Sequence, residues 1–374
     1  MDNRARLKQA WTIAKVELGR AFFSKRAIWV YILALFPSII FLGYSLTVKV
    51  QKERLSANGL TKPALIDSIR AEDTDEDILK KLGKPAMDLK YQWNPNWNQN
   101  RRRGNQPIPP EVAIYTIKNR TLVYFDGQRE ARMHFANGKQ NFKNIRQLAN
   151  FEEDRRVFAG LFQYFYLKLA IFFGCLGIFM NLFRGEMMDR TLHFWFLLPS
   201  RREVLLAGKY GAGLIASTTI FAGGALLCFG IMLQTHNAAE VSSYWQSAGM
   251  AHAFWYAVTA AMGCIGYGSV FLVSGLLIRN PIIPAAVLLV WESINSFLPD
   301  ILQKFSVFYY LQSLCPTPAP ADENMPALLR MLLSPATPAS RTWSIIGLFV
   351  LTALVLWVAR YAVRRMQISY GADS

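Results

Sequence analysis

Cysteine is scarce in this chain: four among 374 residues, Cys175, Cys228, Cys264 and Cys315, with none between positions 49 and 156. That segment therefore has no disulfide framework and no thiolate zinc site. Histidine is equally scarce; His134, His193, His236 and His252 stand singly, and HExxH is absent. GxSxG is absent too, and "GYGSVF" at Gly266 reads as small-residue helix packing. The phosphate loop GxxxxGK[ST] is missing, because Tyr210 follows Gly208-Lys209 and Glu203 stands where the first glycine would be. These absences argue against an enzyme and leave no metal, no cofactor and no Walker loop for ATP in the chain itself. Acids are also few, 25 against 41 Lys and Arg, for a formal charge of +16.

What is abundant is apolar: 52% of residues are hydrophobic, gathered into blocks of the roughly 20 residues needed to cross a bilayer core about 30 Å thick. Ala27 to Val48 is uncharged, Val157 to Phe183 carries only Lys168, and Tyr210 to Leu233 is uncharged. Val241 to Ile278 is uncharged over 38 residues, long enough for a span preceded by a short interfacial or re-entrant piece. Pro281 to Leu298 carries only Glu292, and Trp343 to Ala359 is the last block. The expected fold is an α-helical polytopic membrane protein of six transmembrane helices, with a small α+β extracytoplasmic domain between the first and second spans. The first block is too long for a signal-peptide core and no small-residue cleavage site follows it, so it reads as a retained anchor.

Lys and Arg gather in short cytoplasmic loops. Residues 1–26 hold seven, 184–209 five, the loop at Arg279 one and the tail from Arg360 three. Against those sixteen, 234–240 has none and 300–342 three. Both termini are therefore expected in the cytoplasm, in a plasma membrane such as a bacterial inner membrane. The 21 basic residues of 49–156 do not count against this, since long domains translocate largely regardless of charge. Much of the positive charge is topological, and no nucleic-acid partner is expected.

Residues 49–156 read as a folded domain. "VAIYTI", "TLVYF" and "QREARMHF" are strand-like, with Asp126-Gly127 and Asn137-Gly138 where hairpin turns want positive φ. Ala131, Met133 and Phe135 alternate with Glu130, Arg132 and His134, as a sheet with one wet face requires. "TDEDILKKLGKP" before them has acids in its first turn, bases in its last, and Gly83 then Pro85 as the stop. Asp73, Asp75 and Asp77 match the first ligands of a calcium loop, but Ile78 replaces the glycine and Lys84 the closing glutamate, so a plain helix start is the better reading.

Between the second and third blocks lies "RGEMMDRTLHFWFLLPSRREVLLAGK", residues 184–209, with five basic and three acidic residues around an apolar centre too short to span. Met188, Leu192 and Trp195 recur as one helical stripe, Pro199 ends it, and Ser200 with Glu203 fits a capping box opening the next helix. Such a helix lies on the inner leaflet or is offered to a cytoplasmic partner. The stretch resembles the cytoplasmic signature of ABC-2 type permeases through Glu186, Arg190, Thr191, Leu192, Pro199, Ser200, Arg201, Glu203, Gly208 and Lys209. Residues 4–23, with Leu7, Trp11, Ala14, Leu18 and Phe22 on one face, resemble that family's connecting helix. Ile301–Leu314 and Pro326–Leu333 are similar to its exit-side helices within an extracytoplasmic loop over 300–342.

The resemblance implies that 184–209, including Trp195, is a coupling helix seated in a separate ABC ATPase subunit that binds the ATP and magnesium. It also implies a second permease subunit, identical or related, with lipids around both. The rival expectation is an ion-coupled secondary transporter using Glu292, the only acid in a span. Lys168 and Glu292 are the two intramembrane charges, at heights that allow pairing between the second and fifth spans.

Overall fold

The computed structural model describes residues 3–24, 27–70, 72–93, 117–188, 195, 197, 201–278, 280, 282–295, 298–318 and 340–365. They divide into two compact units, one of residues 1–42 and 152–374, the other of residues 43–151.

The first unit is helical. Helix α1 covers Asn3–Phe23, and α2, Ala27–Ser56, begins here and ends in the second unit. Helix α5, Phe151–Gly160, continues through a π-helical stretch, Leu161–Ala170, into α6, Ile171–Phe179, and α7, Asn181–Met188. Helix α8 is Arg202–Gln234. Helix α9, Ala238–Tyr244, runs through a π turn into α10, Met250–Leu277. Helices α11, Ile282–Ile294, α12, Asp300–Gln303, and α13, Val307–Leu314, precede the last, α14, Arg341–Arg365. Among the described residues, five helical runs are long and apolar enough to cross a bilayer: Ala27–Ser56, Phe151–Met187, Arg202–Gln234, Ala238–Leu277 and Arg341–Arg365. The protein is thus a polytopic helical membrane protein.

The segment expected as the fifth span differs from the other five. Helix α11 has 13 residues, about 20 Å at 1.5 Å per residue, short of a bilayer core. Side-chain contacts explain where the passage continues. Val307 and Leu348 both pack on Gly266 of α10, Leu311 lies on Gly263, and Tyr256 hydrogen-bonds Thr317 at 2.5 Å. Helix α13 therefore continues along α10 in the direction α11 began, and the chain recrosses the unit through two half-length helices. Val307–Leu314, assigned from sequence to a loop over 300–342, is buried against α6, α10 and α14; Pro326–Leu333 lies outside the described residues. Glu292, near the end of α11, ties it by its carboxylate to the start of α13.

Both ends of the described chain meet the first turns of α8. Gly208 is the point of closest approach for α1: a Cβ there would lie 2.8 Å from the Ala10 carbonyl oxygen and against Ile13. From α14, the Val363 and Arg364 carbonyls accept from Arg202 at 3.4 and 3.3 Å, and Arg360 and Arg364 pair with Glu203. We call this the proximal end.

In the second unit, α3, Pro63–Asp67, and α4, Asp75–Leu82, cover one face of an antiparallel sheet ordered β1 (Met87–Trp93), β2 (Ile117–Phe125), β3 (Arg129–Ala136) and β4 (Lys139–Gln147). Leu122, Tyr124, Ala131, Met133 and Phe135 form the core under Ile66, Ile69 and Ile78. The alternation of β3 is borne out with one correction: Glu130, expected on the wet face, is buried and held by Arg132 and Arg146. Asn137 and Gly138 both have positive φ, 51° and 81°, in the tight turn between β3 and β4. The three aspartates of the calcium reading are engaged elsewhere: Asp77 closes a capping box with Thr74, Asp73 takes Lys81 and Asp75 takes Arg120. Most of "VAIYTI", residues 112–116, lies outside the described residues.

Candidate functional site

The 184–209 stretch begins and ends on a buried ion cluster at the proximal end. Lys209, on the first turns of α8, is fully buried. Its Nζ lies 2.6 Å from Glu17 Oε1 and 2.8 Å from Glu186 Oε1, and donates to the Leu182 carbonyl at 2.9 Å. Arg20 completes the group, 3.0 Å from Glu186 and 3.7 Å from Glu17. Among the described residues two cations, the buried Lys209 and the exposed Arg20, meet two buried carboxylates, which is how buried charge is tolerated. The Lys209 ammonium also faces the rings of Phe183 and Trp195 at 5.4 and 5.0 Å.

Three elements supply these groups because of their sequence patterns. Ile13, Ala14 and Glu17 occupy one face of α1, and Gly208 lets that face approach α8. The face differs from the expected stripe: Leu7 and Trp11 are exposed, and the packed side is rotated toward the small residues. Glu17 and Arg20 escaped the sequence reading. The available signal was that Glu17 is the only acid in Asn3–Phe23, a basic helix, and stands three residues after Ala14.

Of the residues predicted for this stretch, the structure brings Glu186, Trp195 and Lys209 together. Arg190, Thr191, Leu192, Pro199 and Ser200 lie outside the described residues. The capping box is corrected: Arg201 is the N-cap of α8 and makes no side-chain cap bond. Glu203 reaches Arg360 and Arg364 instead, since paired guanidinium donors hold a carboxylate more strongly than one backbone amide does. Leu197 is 78% exposed, the most exposed apolar side chain of the described loop residues, whereas Trp195 is turned in toward Lys209.

The two intramembrane charges are not ion-paired among the described residues. Glu292 accepts from the Ser306 hydroxyl and from the backbone amides of Val307, at 3.0 Å, and Phe308, at 3.3 Å. Ser306 in turn accepts from Tyr309 N at 3.1 Å as the N-cap of α13. The carboxylate thus sits where the helix presents unsatisfied N–H groups and the positive end of its dipole. Lys168 lies over the Phe308 ring at 5.3 Å. It projects from the π-helical stretch, which also carries Gln163, donating to the Thr317 carbonyl at 2.7 Å, and Tyr166, donating to the Phe221 carbonyl at 2.6 Å.

No protein-family model matches the chain, and no curated protein matches it. Among the described residues, no group of three or more His, Cys, Asp or Glu is placed to hold a metal ion.

Proposed function

We propose that this chain is the membrane subunit of an ABC-2 type exporter. Residues 184–209 form its coupling element, and a separate cytoplasmic ATPase subunit binds ATP and magnesium and drives it. A second permease subunit, identical or related, completes the translocation path in a plasma membrane, with both termini in the cytoplasm and residues 49–156 outside. The observation that carries this reading is the closure of the loop on itself. Glu186 and Lys209 stand near its two ends and are ion-paired, so those ends are clamped together. A push on it reaches α7 through Glu186, α8 through Lys209, α1 through Glu17 and Arg20, and α14 through Glu203. That is the mechanical requirement for a small cytoplasmic displacement to tilt several spans together. The common proximal position of α1 and of the last turn of α14 supports the topology.

The ion-coupled alternative has less support, because Glu292 spends its acceptors on Ser306 and the start of α13 and so holds two half-helices together.

The test is a photo-crosslinking amino acid placed at Leu197 in cells of the native host. The expected product is an adduct with a nucleotide-binding ATPase subunit, not formed when the probe stands at Phe254, an exposed residue near the opposite end of α10. Adducts with lipid alone would favour a surface-lying helix.

A further inference from the structure

Where α2 leaves hydrocarbon, its last turns form a pocket with the sheet of the second unit. Val48 closes the uncharged block of α2, and Lys49, Lys52, Glu53 and Arg54 follow it. The boundary between hydrocarbon and headgroups therefore falls near Val48. Gln51 and Arg54 stand 3 and 6 residues beyond Val48, about 4.5 and 9 Å at 1.5 Å per residue. A helical side chain leans back toward the N-terminus of its helix, which returns the Arg54 guanidinium toward Val50. Both side chains thus lie within the headgroup zone, about 5–7 Å deep on each face of a bilayer.

The face of the sheet turned away from α3 and α4 supplies the other wall. Val48 and Leu55 of α2 pack there with Val123 and Phe125 of β2. Glu130 of β3 is buried beside them and accepts from Gln51 at 3.2 Å, from Arg146 at 3.2 Å and from Arg132. Arg132 is thereby held level with Gln51. The pocket encloses about 470 Å³, and every residue that lines it belongs to the second unit. Leu46, Val50 and Met87 form an apolar wall that is open to the surroundings, and Arg54 and Arg132 stand above it. The one carboxylate in the lining, Glu130, is already met by three donors, so the lining carries an excess of positive charge. Lys49, Lys52 and Glu53 stand outside it.

Two guanidiniums at headgroup depth fit the paired oxygens of a phosphate. The apolar wall on the hydrocarbon side of them fits the glycerol and the first methylenes of a lipid. A soluble anion would use the guanidiniums and leave that wall bare. We propose that this pocket holds an anionic phospholipid of the leaflet at the Ser56 end of α2, its phosphate on Arg54 and Arg132 and its acyl chain descending past Leu46. The inference needs only the membrane assignment and not the ATPase partner, so its test uses this chain alone.

The full chain is placed in phosphatidylcholine nanodiscs containing a trace of phosphatidylglycerol, or of phosphatidylcholine, with a photoreactive diazirine close to the ester of one acyl chain. Labelled peptides are mapped by mass spectrometry. The phosphatidylglycerol probe should label Leu46, Val50 and Met87 well above the phosphatidylcholine probe, while both label the exposed start of α14 at Trp343 alike. Arg54→Gln should lower the phosphatidylglycerol labelling about tenfold, the loss expected for one charge-assisted bond. Val50→Asp, which sets a carboxylate against the phosphate, should lower the labelling of Leu46 and Met87 at least as far. Lys49→Gln removes a cation just outside the pocket and should change labelling by no more than about twofold, as one screened surface charge does. Arg54, Val50 and Lys49 are all exposed, so the three variants should elute as the parent does on size exclusion. Equal labelling by the two probes would overturn the proposal, as would undiminished labelling of Arg54→Gln or of Val50→Asp. A fall in Lys49→Gln matching that in Arg54→Gln would show diffuse surface charge in place of a site. Loss of labelling on adding excess inorganic phosphate would show a site for soluble anions and would equally contradict the lipid assignment.

Discussion

Glu186 and Glu292 are buried to nearly the same degree, 6% and 4% exposed, yet the chain accommodates them by different physics. Glu186 is neutralised by side-chain cations, Lys209 and Arg20, contributed from two other helices. Glu292 is met by a hydroxyl and by the amide end of a short helix. The first arrangement locks elements distant in sequence and breaks when any member is lost. The second joins two halves of one interrupted passage, and its strength lies in geometry more than in charge. The proximal cluster therefore ties together three helices by charge, and Glu292 ties α11 to the start of α13.

The sharpest way to break this contrast is Lys209→Met. It leaves the buried Glu17 and Glu186 with only the rim guanidinium of Arg20 between them among the described residues, and removal of one partner from a buried pair costs about 3–5 kcal/mol. Loss of folded, monodisperse protein is expected, with partial recovery when Glu17→Gln is added. At Glu292 two substitutions should separate. Glu292→Ala strands the Val307 and Phe308 amides, for a loss of about 1–3 kcal/mol. Glu292→Gln keeps an acceptor and should lose only the charge–dipole part, about 0.3–2 kcal/mol. Thermal unfolding of the detergent-solubilised chain orders the three; a Gln variant as damaged as the Ala variant would show that charge, not acceptor geometry, matters there.

Lys168→Met should be comparably mild, about 0.5–2 kcal/mol for a cation over one ring. Both residues touch Phe308, one its ring and the other its amide, so some coupling is expected, but the double variant with Glu292→Gln should not be more stable than either single one. A rescue in the double variant would instead reveal a direct pair.

The second unit offers a comparison in pH. The Arg120 guanidinium, hydrogen-bonded to Asp88 at 2.9 and 2.7 Å, holds that carboxyl below the usual carboxylate range. Its contribution to stability is complete above the ordinary aspartate value near pH 3.9 and fades as pH falls through the lower folded value. Burial pushes Tyr124 up to about 12, so that contribution is intact below pH ~10 and lost as pH rises toward 12. Protection factors of the β2 and β3 amides in the full chain, corrected for the intrinsic pH dependence of exchange, should fall at both extremes and stay flat between pH ~5 and pH ~9; flat protection down to pH ~2 would contradict the Asp88 assignment.

How much of this was legible in the sequence depended on whether the cause was local. Apolar length is local, and five spans were readable from it; so were the β3 alternation and the Asn137-Gly138 turn, whose conformations follow from residue type. The fifth passage was misread because nothing in "PIIPAAVLLVWESINSFL" shows that Glu292 will turn onto the amides of Val307 and Phe308, 15 and 16 residues later. Glu203 was misread for the same reason: a local capping spacing lost to arginines some 160 residues away. Strand β1 went unseen because "MDLKYQW" leaves Leu89 and Tyr91 half exposed and mixes charge among its apolar positions. At the site, Glu186 and Lys209 were visible as motif residues, whereas the partnership of Glu17 and Arg20 is purely tertiary.

The central claim is that the clamped loop receives force from an ATPase subunit through an exposed apolar contact, and ATP hydrolysis tests it most directly. The full chain, affinity-purified from native membranes in mild detergent, should carry vanadate-sensitive ATPase activity. Leu197→Asp, exposed and so folded normally, should reduce the co-purified activity at least about 30-fold, as loss of a 2 kcal/mol interface anchor would. Undiminished activity with Leu197→Asp, or none with the parent chain, would contradict the account.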